Sequence, residues 1–145
     1  MMMNMLTMLT WFTSKKDYLK PFADDESAKK AAMKLWTAID TNDWIPFVLM
    51  IILTIAICLY YYFPFNKMPG RHYHPKWCAM FCLVAVVLVF LSSFAGCWLI
   101  AKNPGFDKGF LVKVSAVNVL YALLLYFIVS IFIIKSGKSN AYPWL

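Results

Sequence analysis

The chain has 145 residues, of which 62% are hydrophobic and 14% are charged, and its formal net charge is +7. Soluble domains average about 45–50% apolar residues, so the composition excludes an ordinary soluble domain and predicts an all-α integral membrane protein. The positive charge does not indicate nucleic-acid binding, because lysines that flank apolar segments carry most of it and Arg71 is the single arginine.

The N-terminal sequence MMMNMLTMLTWF is apolar but too short to span a bilayer. It lacks the basic start and the small-residue cleavage site of a signal peptide. We interpret it as a short interfacial segment, with polar residues at Asn4, Thr7 and Thr10, that ends before Lys15 and Lys16. Packing against the membrane helix of a partner is an open alternative.

An amphipathic helix is predicted over residues 24–39. Acidic residues gather at its start and lysines follow, which suits the helix dipole. Its apolar residues share one stripe: Ala28, Ala31, Ala32, Leu35, Trp36 and Ile39. The membrane surface, the protein's own helices or a partner must cover this stripe. Its small alanines favour protein contact, so Leu35, Trp36 and Ile39 are predicted to dock on a partner or at an interface.

Three transmembrane helices are predicted at about 44–63, 77–100 and 110–134, each near or above the roughly 20 residues that cross a bilayer. The polar run 40–43 is expected to end the amphipathic helix, with Asp43 as the N-cap of the first span and Pro64 as its far boundary. Trp44 and Tyr60–Tyr62 resemble the aromatic belts of the two interfaces. This divides the chain into an N-terminal segment, 1–43, and a three-helix transmembrane domain, 44–145.

The short connector 101–109 makes the second and third spans an antiparallel hairpin. Three spans place the two chain ends on opposite sides of the membrane. Residues 1–43 and the connector region carry nine basic residues against five on the other side, and six against five when only those from Lys29 onward are counted. The positive-inside rule therefore favours a cytoplasmic N-terminus.

Two further segments are predicted to dock on a partner or on lipid. The loop 64–76, PFNKMPGRHYHPK, is stiff, aromatic and basic, and Arg71, His72 and His74 are its candidate contact residues. The tail KSGKSNAYPWL ends in apolar side chains, of which Trp144 is the candidate contact.

The hairpin contains a stripe of small and polar residues that is predicted to pack the helices together: Ser92, Ser93, Gly96, Ser115, Asn118 and Ala122. Folding the hairpin about residue 105 places Ser92 level with Asn118, and Gly96 near 114–115. Small residues allow close approach, and Ser or Asn can hydrogen-bond across it. We expect the Asn118 amide to bond with Ser92 or Ser93. The functional alternative is a polar pore lining formed by several copies.

A metal site is a weaker interpretation of the sequence. His72 and His74 precede Cys78 and Cys82, which share a helix face, and together they could supply four zinc ligands. Against this, Cys82 lies more than a turn inside an apolar run and no carboxylate is close. We expect the four cysteines to be free thiols, and no metal or other cofactor to be bound.

No catalytic motif is present in the sequence. General acid–base chemistry needs a poised titratable group, and proton-coupled transport needs intramembrane carboxylates or histidines; the apolar runs offer only Lys113, near one edge. The sequence predicts a non-catalytic subunit that anchors or scaffolds a larger membrane complex, with the bilayer and other membrane subunits, or further copies of itself, as partners. A small homo-oligomeric pore is the alternative. No small-molecule substrate is indicated.

Overall fold

The structure is a computed structural model that describes residues 14–42, 44–65, 67–68, 75–101 and 107–135. Its elements are helical, with no strand in those ranges. They are α1 (Lys15–Leu19), a 3₁₀ turn (Lys20–Phe22), α2 (Glu26–Asn42), α3 (Trp44–Tyr60) with a π-helical turn (Tyr61–Phe65), α4 (Pro75–Ala101) and α5 (Lys108–Lys135). The N-terminal segment 1–13, Asp43 and the tail 136–145 lie outside the described residues.

Three helices are long enough and apolar enough to cross a membrane. They comprise 22, 26 and 28 residues, over Trp44–Phe65, Lys76–Ala101 and Lys108–Lys135, and about 20 helical residues suffice for a hydrocarbon core of about 30 Å. The three predicted spans are therefore confirmed as apolar helices, and their ends differ from the prediction by at most two residues.

The amphipathic helix α2 begins two residues later than predicted and ends three residues later. Asp25 is its N-cap: the Oδ1 atom accepts the backbone N–H groups of Ser27 at 2.8 Å and Ala28 at 3.2 Å. The expected interruption at 40–42 is wrong. Thr41 and Asn42 donate to carbonyls one turn back, at 2.8 and 3.0 Å, so these side chains bond within the helix instead of ending it.

The far end of the first span also differs from the prediction. Pro64 does not stop the helix, which continues to Phe65 as a π-helical turn; a wider turn is a common way to accommodate a local break in α-helical bonding. Tyr61 and Tyr62 are buried, so they do not belong to an aromatic belt, whereas Tyr60 is exposed.

The three long helices form a bundle in which each contacts the other two. One buried face per helix creates this bundle. On α3 the buried residues recur every fourth position, and on α5 every third or fourth, as one stripe of an α-helix must. The buried residues of the two stripes are Pro46, Met50, Thr54, Cys58, Leu111, Ser115, Asn118, Ala122, Tyr126 and Ser130. Met50, Val89 and Ala122 meet at the centre.

Helix α2 packs on the connector end of the α4–α5 hairpin. Its buried residues form one hydrophobic cluster with Cys97, Phe110 and Leu111. Trp36 stacks on Phe110 with ring centroids 5.3 Å apart, and Tyr18 of α1 lies 4.5 Å from the same ring. Burying a large apolar side chain contributes about 1.5–3 kcal/mol, so this cluster fixes the N-terminal helices on the bundle.

Candidate functional site

Four of the six residues in the hairpin's polar stripe are buried inside a single copy of the chain, and Ser92 and Gly96 are half-buried. Ser93 and Ser115 are 0% exposed and Asn118 is 2% exposed. The Nδ2 atom of Asn118 donates to the Oγ atom of Ser93 over 3.1 Å, which joins α5 to α4. The hydrogen bond expected for Asn118 is therefore present, with Ser93 as its partner.

The neighbouring serines bond within their own helices. Ser92 donates to the carbonyl of Val89 at 3.1 Å, and Ser115 donates to the carbonyl of Leu111 at 2.9 Å. The predicted register of α4 against α5 is wrong by one residue, because Ser93 rather than Ser92 faces Asn118. One residue is about 100° of helix rotation, enough to turn a side chain away from its partner helix.

Gly96 does not serve the hairpin as predicted. A Cβ atom added there would lie 3.9 Å from the Cβ of Pro46 on α3, an ordinary van der Waals distance. This contact places the Gly96 face of α4 beside the first span. Ala122 is the small residue that the bundle buries at its centre.

A second buried polar group lies at the opposite end of the bundle, and the sequence interpretation missed it. Here the Cys58 Sγ and Ser130 Oγ atoms are 3.6 Å apart, Tyr62 lies beside Ser130, and the Cys78 thiol lies beside Tyr61 and Tyr126. The signal was available: the spacing of Ser115, Asn118 and Ala122 continues to Tyr126 and Ser130 on one face of α5.

The residues predicted to dock on a partner fall into two groups. Leu35, Trp36 and Ile39 are only 6%, 3% and 1% exposed, since the protein's own hairpin covers them. The stripe is therefore in contact with protein, as its small alanines favour, and the protein's own helices rather than a partner cover these three residues. The other four, Arg71, His72, His74 and Trp144, lie outside the described residues.

Two of the four candidate zinc ligands can be located. Cys78 is buried and Cys82 is half-buried, both as free thiols on α4; His72 and His74 lie outside the described ranges. Within those ranges no three His, Cys, Asp or Glu side chains are grouped so that they could hold a metal ion.

A cleft of about 200 Å³ opens at the connector end of the bundle, between α1, its 3₁₀ turn and the start of α5. Asp107 is the N-cap of α5, and its Oδ1 atom accepts the backbone N–H of Phe110 at 3.1 Å. Burial, together with the nearby Asp107 carboxylate, raises the pKa of the Tyr18 hydroxyl, which stays protonated at neutral pH. The cleft is lined by Asp17, Tyr18, Pro21, Phe22, Asp107, Gly109, Phe110 and Lys113.

These features define a class of protein: an all-helical chain with three helices suited to crossing a membrane, polar groups buried between them, and an amphipathic helix packed on one end. No protein-family model, curated protein or solved structure matches the chain.

Proposed function

We propose that this chain is a non-catalytic, multi-pass membrane protein that anchors or scaffolds a larger membrane complex, with its N-terminus in the cytoplasm. The observation that carries the proposal is the division between its interior and its surface. Buried polar side chains of the spans, among them Ser93, Ser115 and Asn118, lie inside one copy, while the outward faces are apolar, with Leu99 76% and Phe132 69% exposed.

The outward faces support a membrane location. Large apolar side chains stand exposed on all three long helices, among them Ile52, Leu83 and Leu124. Such surfaces are stable in lipid or against apolar helices of other subunits and are rare on soluble monomers. The exposed residues therefore provide the contact area through which an anchor would hold its partners.

The burial of the polar stripe favours the anchor over a homo-oligomeric pore. A pore lining must reach water, whereas Ser93, Ser115 and Asn118 are enclosed by helices of the same copy. Lining a channel with them would require the bundle to open and the bond between Asn118 and Ser93 to break.

Two experiments test the proposal: affinity purification of the full chain in a mild detergent, and dye release from liposomes that contain the purified chain. We expect stoichiometric co-purification of membrane subunits and no dye release above that of empty liposomes. Dye release that rises with protein density, together with purification of the chain alone, would contradict the anchor and support the pore.

A further inference from the structure

The cleft at the connector end contains two charged groups that have no ion-pair partner among the residues that the structure describes. Asp17 is paired: its Oδ1 atom lies 2.6 Å from the Nζ atom of Lys20. Asp107 caps α5 through a backbone N–H group. Among the described residues, neither Asp107 nor Lys113 has an ion-pair partner within 4.0 Å. The cleft therefore offers one carboxylate and one ammonium group to a ligand.

The spacing of these two groups restricts the ligand. Asp107 and Lys113 are six positions apart at the start of α5, so the backbone positions that carry them are separated by about 9 Å along the helix axis at 1.5 Å per residue. A primary amine joined to a phosphate by two carbons has a comparable length once a hydrogen bond is added at each end. Its ammonium group is complementary to Asp107, and its phosphate is complementary to Lys113.

The aromatic walls of the cleft distinguish between amine types. Quaternary ammonium groups bind over open aromatic faces. Here the ring of Tyr18 lies against those of Phe110 and Phe22, with centroids 4.5 and 5.9 Å apart, so these rings cover one another. A primary ammonium that donates hydrogen bonds to a carboxylate suits this cleft better than a trimethylammonium group.

The position of the cleft indicates that such a ligand is part of a membrane lipid. Resting on the proposed membrane location, the cleft lies where α5 begins and therefore at the level of the lipid headgroups. We propose that it binds the phosphoethanolamine headgroup of phosphatidylethanolamine, with the lipid ammonium on Asp107 and the lipid phosphate on Lys113.

Native mass spectrometry of the full chain in detergent tests the proposal, with phosphatidylethanolamine, phosphatidylcholine and phosphatidylglycerol added at equal concentrations. We expect phosphatidylethanolamine to be retained about tenfold better than phosphatidylcholine, the effect of one charge-assisted hydrogen bond. D107N, which keeps an N-cap because Asn caps as well as Asp, should abolish this preference. K113M should weaken the retention of all three lipids.

Two matched substitutions on the segment that begins α2, D24N and K29M, make the same charge changes at exposed positions outside the cleft and should leave retention unchanged. Equal retention of phosphatidylethanolamine and phosphatidylcholine would contradict the proposal, as would a preference that survives D107N. Stronger retention of phosphatidylglycerol would show general attraction to lysines and would also contradict it. Soluble phosphoethanolamine bound as tightly as the lipid would contradict the lipid assignment.

Sodium carbonate extraction of membranes from expressing cells separates this proposal from the proposed function. A chain that stays in the carbonate-resistant membrane fraction but shows no headgroup preference contradicts only the headgroup site. A chain that carbonate releases contradicts the membrane location on which both proposals rest.

Discussion

At the scale of single residues, the hydrogen bond between the side chains of Asn118 and Ser93 joins α5 to α4. Both side chains are buried among apolar neighbours, where an unpaired amide is costly. The bond therefore fixes the rotation of the two helices about their axes, because a turn of one residue on α4 would replace Ser93 with Ser92 or Phe94.

A double-mutant cycle of S93A and N118A measures this pair. Interhelical hydrogen bonds in membrane proteins contribute about 0.6 kcal/mol on average and up to about 1.7, so we expect a coupling free energy in this range. Unfolding in mixed detergent micelles with increasing SDS gives the free energies. In the control cycle S92A replaces S93A; because Ser92 bonds within its own helix, the two changes should add without coupling. Equal coupling in both cycles would show that the bond lacks this role.

For Gly96 we predict that a substitution does not lower the stability of the bundle. The space beside Pro46 accommodates a methyl group at a distance of 3.9 Å, and alanine is about 1 kcal/mol more favourable than glycine inside a helix. G96A should therefore leave stability unchanged or raise it by up to about 1 kcal/mol in the same SDS titration. A122L, at the packed centre, should instead destabilise the bundle by about 1–3 kcal/mol. A large loss in G96A would show that the glycine is needed for close approach.

At the scale of elements, α2 depends on a cap at its start and on the cluster beneath it. The Asp25 carboxylate accepts hydrogen bonds from the Ser27 hydroxyl and from the backbone N–H groups of Ala28 and Ser27, which lowers its pKa from the ordinary 3.8. A lowered pKa in the folded state means that the carboxylate stabilises the fold above the ordinary value. This stabilisation is lost as the pH falls through the folded-state pKa.

The pH dependence of α2 tests the cap. The thermal midpoint is followed by the fluorescence of Trp36 in a background in which the other five tryptophans are replaced by phenylalanine. With Asp25 intact, we expect the midpoint to decrease as the pH falls below about 4. The decrease should be smaller in D25N, whose amide caps without a charge. D25A should lower the midpoint at neutral pH. D24A is the matched control, because Asp24 makes no described capping bond; an equal loss in both variants would contradict the assignment of the cap.

The docking of α2 on the hairpin has a separate test. W36A removes a buried side chain from the cluster that covers Cys97, at a cost of about 3–5 kcal/mol. The Cys97 thiol should then react faster with a water-soluble maleimide, and mass spectrometry of peptides locates the label. M33A changes the exposed face of the same helix, where Met33 is 42% exposed, and should leave the labelling rate unchanged. Equal rates in both variants would show that α2 does not cover this thiol.

At the scale of the whole molecule, hydrophobicity was sufficient to predict three long helices and a hairpin, because span length and composition are local properties of the sequence. What covers α2 is not a local property of the sequence. The alanines of the stripe that contains Trp36 favoured protein contact over lipid, but they did not distinguish a partner from the chain's own hairpin. The one-residue error at Ser92 has a similar origin. When the pairing of residues on α4 and α5 is counted from the middle of their connector, it is uncertain by one residue. On a helix, one residue decides whether a side chain faces its partner helix.

The buried cluster at the far end of the bundle could have been predicted from spacing alone. Tyr61 and Tyr62 fit the composition of an aromatic belt, but they follow Cys58 by three and four positions and so continue the buried stripe of α3. Tyr126 and Ser130 continue the stripe of α5 in the same way. The contacts on the outer faces of the long helices are made with molecules outside the chain. The function is therefore harder to predict from the sequence than the fold.

A spin-label scan of α5 in lipid bilayers tests the central claim, that one copy forms a closed three-helix bundle within the membrane. In a cysteine-free background, labels are placed singly at buried positions, Ser115, Ala122 and Ser130, and at outward positions, Leu120, Leu124, Ile128 and Phe132. We predict that outward labels are broadened by oxygen, which concentrates in lipid, and that buried labels respond to neither oxygen nor a water-soluble nickel complex. Buried labels that respond to nickel would contradict the account, because the stripe would then face water.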